Sequence, residues 1–339
     1  VDALLPWLAD RTTVEGPLQA QQLAGGRSNL TYRVTDAAGQ RFILRRPPLG
    51  DLLAGAHDMS REHRVMAALA DTAVPVPAMV GHCADTEVLG AEFYVMRFVE
   101  GLVLREESDG LLLDRPARAR ATVELAGTMA ALHAVDPTAV GLGERSRGEN
   151  YLARQLHVWK RQLDAAAASG GRQVNALTAV HDRLVATIPE QKGVSIVHGD
   201  YRLDNTLVRA DGTVAAVLDW ELWTLGDPLA DLAITLTYWG DPQDTVEPLI
   251  GRPTAVEGFG GRQDVIAAYV QAGGTAIPPP LLPWYLAFGG WRLAAILEGV
   301  YQRNLAGAYG DDDGDWRQFE DKVPLLAAQA ARHADAAGV

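Results

Sequence analysis

The chain has 339 residues, 48% of them hydrophobic, and a net charge of −13; that is enough to bury a large core in one domain or two lobes, and too acidic to track a nucleic-acid backbone without a segregated basic face. No apolar run reaches the roughly 18 residues that a membrane-spanning helix needs, and Val1 to Pro6 carries neither the basic start nor the apolar core of a secretory signal. Cys83 is the lone cysteine, which excludes an internal disulfide and a cysteine metal cluster and fits a reducing cytoplasm.

Short runs at Leu18 to Leu23, Leu30 to Thr35 and Arg41 to Arg45 read as strands, separated by Gly25-Gly26-Arg27-Ser28-Asn29 and by Asp36-Ala37-Ala38-Gly39. A helix is predicted over 58–70, where Val65, Met66 and Leu69 share one face. Pro75 and Pro77 close that unit, and Val80 to Cys83 and Glu92 to Val99 add two strands. Five strands and one helix make a small sheet-based lobe. Glu100-Gly101 is the expected hinge, glycine letting the chain turn.

Helices dominate afterwards: about 119–134, 150–166, 174–188, 228–239, 263–272, 280–304 and 316–336. Residues 195–220 interrupt them as loops and short strands. Asp311 to Asp315 reads as a solvated loop. The chain holds 30 Lys and Arg, yet only Lys160, Lys192 and Lys322 are lysines, so any phosphate contact from the first half must come from Arg or backbone N–H groups.

The informative stretch is Val197-His198-Gly199-Asp200-Tyr201-Arg202-Leu203-Asp204-Asn205, followed by Val217-Leu218-Asp219-Trp220-Glu221. Phosphoryl transfer from a nucleotide needs one carboxylate to orient a hydroxyl and accept its proton, and an Asn/Asp pair to hold Mg²⁺ on the phosphates. Asp200, Asn205 and Asp219 supply these groups in that order. An amide oxygen and a carboxylate suit a hard, octahedral ion. Glu221 is a further ligand, the holder of a water, or an exposed charge. No Gly-Lys-Ser/Thr phosphate loop occurs.

On these residues the chain resembles the aminoglycoside phosphotransferase and choline kinase group of small-molecule kinases. The nearest subgroup is the kinase-like domains related to those fused to acyl-CoA dehydrogenases. Leu23 to Tyr32, Phe42 to Pro48, Arg61 to Leu69 and Gly226 to Ala233 add to the match, which covers roughly residues 15–305. The resemblance implies an α+β, two-lobed protein-kinase-like fold. Residues 1–99 would form a nucleotide-binding lobe with an antiparallel sheet and one main helix, and 100–339 a larger, mainly helical catalytic and substrate-binding lobe.

The resemblance also implies roles. Asp200 is the catalytic base, and Asn205, Asp219 and Glu221 are metal ligands. ATP or GTP lies under Gly25, Gly26, Arg27, Ser28 and Asn29. Arg45, with Arg46 as its competitor, stands where kinases place a phosphate-binding lysine; it keeps the charge but offers a planar fork in place of a point ammonium, and it pairs with Glu62. Adenine meets main chain near Arg97 and Val99. His198 braces the loop, where the alternative is a hydrolase metal pair. Asp231 accepts backbone N–H bonds from the catalytic loop or merely opens a helix. Trp223, Trp239, Arg292, Glu298, Tyr301 and Arg303 are substrate-pocket candidates, although aromatics at helical spacing commonly belong to core.

The leading reading is an ATP- or GTP-dependent, Mg²⁺-requiring kinase for a hydroxyl on a small molecule; the subgroup resemblance implies a hydroxy acid or hydroxyacyl compound, whose carboxylate Arg292 and Arg303 would meet. An aminoglycoside phosphotransferase is the alternative in the same class; a polycation would call for concentrated acidic groups. A protein kinase fits less well, since Gly199 replaces its expected Arg. A catalytically silent binding module and a metal-dependent hydrolase are the readings from other classes. Nothing in the sequence fixes the oligomeric state.

Overall fold

The computed structural model describes residues 3–23, 29–48, 58–240, 251–307 and 315–339. A short helix, α1 (Leu4–Ala9), precedes β1 (Gln19–Gln22), β2 (Leu30–Thr35) and β3 (Arg41–Arg46); α2 (Met59–Leu69), β4 (Met79–Cys83), α3 (Thr86–Leu89) and β5 (Phe93–Arg97) follow. The strands form one antiparallel sheet in the order β1-β2-β3-β5-β4.

Period-2 alternation explains why the central strands read as unbroken apolar runs. Phe42 and Leu44 of β3, with Phe93 and Val95 of β5, face a small core built with Leu4 and Leu8 of α1. Ile43, Tyr94 and Met96 point the other way, onto Val65, Met66 and Leu69 of α2. Both faces are therefore covered. Helix α1 leaves no periodic pattern to read, since its six residues include Pro6 and span less than two turns. Helix α2 starts where Asp58 accepts from the N–H of Arg61 at 2.9 Å, an N-cap that satisfies one orphan donor.

The remaining elements are α4 (Glu107–Gly110), α5 (Arg115–Ala134), α6 (Tyr151–Ala168), α7 (Asn175–Ala186), β6 (Ser195–Val197), β7 (Thr206–Val208), β8 (Val214–Val217), β9 (Thr224–Gly226), α8 (Pro228–Tyr238), α9 (Arg262–Gln271), α10 (Leu282–Leu305) and α11 (Phe319–Ala336). Helix α10 is apolar nearly all round, from Trp284 through Tyr301, and is buried among α6, α7, α8 and α11. Helix α5 begins earlier than expected, because Asp114 caps it at the N–H of Ala117 and a proline occupies its first turn.

Between the sheet and the helices, Leu102 exchanges backbone hydrogen bonds with Val208 of β7. Gly101 is needed there for room and not, as expected, for a turn: a Cβ would sit 2.8 Å from the Cβ of Leu207. No described helix is long and apolar enough to cross a membrane.

The fully buried Leu8 is the main anchor of α1. Leu8→Ala is expected to destabilise the protein by about 2–4 kcal/mol, read as a lower urea midpoint at unchanged slope. An unchanged midpoint would mean that α1 is not part of the sheet core.

Candidate active site

The loop from β6 to β7 is held from behind by one carboxylate. Asp231, in the first turn of α8 and fully buried, accepts the N–H of His198 and of Gly199 at 2.8 Å each, and faces Nε2 of His133 at 3.2 Å. Burial alone would raise its pKa, but His133 and these N–H donors more than offset that and hold it below the usual carboxylate range. Gly199 has φ of 83°, and a Cβ there would meet the carbonyl oxygen of Leu222 at 2.7 Å, so glycine is required both for conformation and for space. His198 is the brace expected: Nδ1 accepts from the N–H of Asp200 at 3.3 Å, Nε2 donates to the carbonyl of Leu218 at 2.9 Å, and its ring packs on Trp220.

Asp200 follows. Its Oδ2 accepts from Nδ2 of Asn205 at 2.9 Å and from Nε of Arg202 at 3.2 Å, and the hydroxyl of Tyr238 donates to the same carboxylate. Burial pushes its pKa up; Arg202, His198 and Tyr238 reverse that and keep it low. Asp200 is thereby held ionised, as a group that orients a hydroxyl and takes its proton must be. Asn205 also donates to the main-chain oxygen of Asp200 at 2.8 Å, which commits its NH₂ inward and keeps its amide oxygen for a cation.

Pairing of Thr206 with Val217, and the bond from the N–H of Leu218 to the Asn205 carbonyl at 2.8 Å, bring Asn205 and Asp219 to the same end of the β7–β8 hairpin. Asp219 is left-handed, φ 61°, a conformation that Asp tolerates better than most residues. No group of three or more His, Cys, Asp or Glu able to cage a metal occurs among the described residues. An amide oxygen with one or two carboxylates instead fits Mg²⁺ shared with phosphates.

From the sheet, Arg45 reaches across to these acids: Nη2 lies 2.7 Å from Oδ1 of Asp219 and 3.9 Å from Oε2 of Glu221, and Nε lies 3.5 Å from Oε2 of Glu62. Glu62 is buried and accepts from Nδ2 of Asn29 at 3.2 Å and from the hydroxyl of Tyr94 at 3.0 Å. Burial, only partly offset by Arg45, raises its pKa. Burial and neighbouring Asp219 push Glu221 up to about 8. Arg46 faces away, over the ring of Tyr32; strand alternation assigns the cleft to Arg45.

The other expected site residues divide. Gly25, Gly26, Arg27 and Ser28 lie outside the described residues. The Arg97 side chain is taken up within the sheet lobe by Gln40, Thr12 and the Phe42 ring, and the N–H groups of Arg97 and Phe98 are bonded to the carbonyls of Ala78 and Arg41. Those two N–H groups are thereby committed within the sheet lobe. Trp223 is a tie and not a pocket wall: its indole N–H donates to the carbonyl of Arg61 at 3.2 Å, and Arg61 bonds back to the Trp223 carbonyl.

Arg292 is buried beneath the loop, donating to the carbonyl of Gly199 at 2.9 Å and lying over Trp159. It shapes the catalytic loop and does not face a substrate. Glu298 is also no pocket residue, since it is 2% exposed and clasped by Arg172 at 2.8 and 3.1 Å. Tyr301 lies under Arg172 and against Trp316. Arg303 is in the last turn of α10, about 16 Å along the helix from Arg292 at 1.5 Å per residue.

Trp239 does line a cavity, together with Arg202 and Tyr238, with an empty volume of about 360 Å³ including its mouth. Its polar floor went unread in the sequence. Arg202 is shared between Asp200 and Asp204 (Nη1 to Oδ2 3.0 Å) and lies over the Tyr238 ring. Leu104, Arg105, Thr254 and Pro253 contribute walls. Burial raises Asp204 to about 6 despite Arg202. The signal was available: Arg202 and Asp204 sit inside the motif whose ends drew notice.

The fold and this constellation define a kinase-like phosphotransferase architecture. A model of the phosphotransferase enzyme family (APH) matches residues 19–284, and the chain belongs to that family. It is 36% identical over 300 residues to acyl-CoA dehydrogenase family member 11 of Gallus gallus, covering 86% of this chain and 38% of that protein; the chain thus spans well under half of that relative. A solved structure from Ralstonia eutropha JMP134, named for the aminoglycoside phosphotransferases, is 32% identical with a TM-score of 0.80 over 98% of both chains. Choline kinase from Cryptosporidium parvum (TM-score 0.65, 14% identity, 93% of this chain and 89% of that one) shares the fold. So does the GDP complex of aminoglycoside 2'-phosphotransferase-IIIa (0.63, 15%, 98% and 97%).

Because Asp231 has a lowered folded pKa, the stability it contributes is present above its unfolded value near 3.8 and is lost as pH falls through the folded one. Asp231→Asn is expected to cost about 2–4 kcal/mol at pH 7, and the gap from wild type in chemical denaturation should narrow below pH 3.8. A pH-independent gap would contradict the buried, ionised assignment.

Proposed function

We propose that this chain is a kinase that transfers the γ-phosphoryl group of ATP or GTP to a hydroxyl of a small hydroxy acid or hydroxyacyl compound. The observation that carries this reading is the ionised Asp200, whose partners Arg202 and Tyr238 line a cavity, with Asn205 and Asp219 on the adjoining hairpin and Arg45 arriving from the sheet. Residues 1–99 would form the nucleotide lobe and 100–339 the catalytic and substrate lobe. The fold relative bound to GDP supports a nucleotide in this architecture.

Asp200 orients the hydroxyl and accepts its proton as the new O–P bond forms and the bond to the β-phosphate oxygen breaks. Bound Mg²⁺ would neutralise charge on the phosphate oxygens. Asn205 and Asp219 hold it, with Glu221 within reach of a second ion or a water. Arg45 offers the phosphates a fixed fork. Asn205, Arg202 and Tyr238 keep the base in one orientation, which counts for more than basicity in a loose transition state.

Arg105, exposed at the cavity, gives an oxygen-rich, carboxylate- or carbonyl-bearing substrate a partner, a role that Arg292 and Arg303 cannot fill from where they stand. Among the described residues that line the cavity, Asp204 is a single acid, already paired with Arg202, where a polyamine would call for several, which makes an aminoglycoside the second reading. The intact Asp200, Asn205 and Asp219 set weighs against a silent binding module. The lone, buried Cys83 suits a reducing cytoplasm.

ADP release with ATP and Mg²⁺ across hydroxy acids, hydroxyacyl thioesters, amino-sugar antibiotics and choline-like alcohols tests this. Turnover is expected on the first two classes. Asp200→Ala should lower kcat by about 10³-fold or more while keeping thermal stabilisation by nucleotide. Turnover confined to amino sugars would favour the second reading; absence of nucleotide binding would sink the assignment.

A further inference from the structure

Three carboxylates, Glu62, Asp219 and Glu221, converge on the single guanidinium of Arg45 at 3.5, 2.7 and 3.9 Å. The shortest contact joins residues 174 positions apart, from the sheet to the hairpin end that carries the metal acids. The arrangement leaves one donor over: the buried Nε of Arg45 has no hydrogen-bond partner among the described residues. Nε has only its 3.5 Å ion pair with Glu62, and a buried donor held that loosely favours exchange for a closer acceptor.

The contact has a consequence for the ion. Asp219 offers Mg²⁺ an oxygen only if that oxygen gives up a short, charge-assisted hydrogen bond. A divalent ion arriving alone would also meet the full positive charge of Arg45. A phosphate chain changes the balance: its oxygens match the planar fork, Nε included, and draw Arg45 from Asp219 as the ion takes its place. Cation and anion then exchange partners in one charge-balanced step. A lysine at this position, a compact point charge, could not span Glu62 and Asp219 in the same way.

We propose that Arg45 is a latch on the metal site, making metal and nucleotide binding mutually dependent so that neither binds well alone. This rests on the reading of Asp219 as a metal ligand. Because such coupling is reciprocal, the factor by which nucleotide tightens metal binding equals the factor by which metal tightens nucleotide binding.

The test is Mn²⁺ binding by the whole chain, followed by electron paramagnetic resonance with and without a non-hydrolysable ATP analogue, in wild type, Arg45→Met, Arg45→Gln and Asp219→Asn. Wild type is expected to bind Mn²⁺ at least about tenfold more tightly with nucleotide. Removing the latch should strengthen binding of the metal alone by about five- to tenfold, while nucleotide affinity falls and the coupling factor drops by the same order, leaving the part due to direct metal–phosphate contact. Asp219→Asn should lose Mn²⁺ in both conditions. Thermal melts identify any variant that does not fold, and the Met and Gln forms back each other up.

The latch is overturned if folded Arg45 variants bind Mn²⁺ alone no better than wild type, or if wild type binds it equally well with and without nucleotide; the kinase reading survives both results. If wild type binds neither Mn²⁺ nor nucleotide when both are supplied, the kinase reading fails and takes the latch with it.

Discussion

The site is organised around a buried negative charge that never meets substrate. Asp231 fixes two consecutive N–H groups, those of His198 and Gly199, and so sets the path of the loop immediately before Asp200. That path demands glycine at 199, whose carbonyl is in turn secured by Arg292 from α10. Helix α8, helix α10 and the loop are thereby locked by charge-assisted bonds in a dry setting, where each bond is stronger and each loss costlier than in water. The path of the chain into Asp200 is thus a property of the helical core, while Arg202 and Asn205 of the loop itself, with Tyr238, orient its carboxylate.

Four carboxylates near the cleft feel similar burial and respond in opposite ways. Asp200 has Arg202, His198 and a tyrosine hydroxyl around it and stays low; Glu62, Asp204 and Glu221 have fewer opposing charges per carboxylate and rise. Burial is common to all of them, so the number and position of donors decide which acid stands ready as a base.

Much of the fold could be read in advance because its patterns are local. The alternation in Phe42 to Leu44 and Phe93 to Met96, and the order Asp200, Asn205, Asp219, do not depend on distant partners. What escaped was non-local. Glu298 is held by Arg172, 126 residues earlier, as well as by Gln302 one turn along its own helix. The aromatic residues of α10 could not be sorted into core and pocket, since a helix buried on every side has no polar face to orient it. Six residues of α1 give too little periodicity to register. Arg202 and Asp204 were in plain view, but their value depends on the cavity next to them.

Much of that cavity's wall is not core. Arg105 comes from the segment that leads into α4, and Gly251, Pro253 and Thr254 come from the connection before α9, whereas the reacting groups are braced by buried helices. The proposed chemistry and the cavity's lining therefore come from different parts of the chain. Within that lining only Arg105 is exposed: a Cβ at Gly251 would run into the Arg105 carbonyl oxygen, and Pro253 and Thr254 are buried, Thr254 bonded to Gly240. The shape of the cavity is thus set by packed backbone, and its charge by a few side chains.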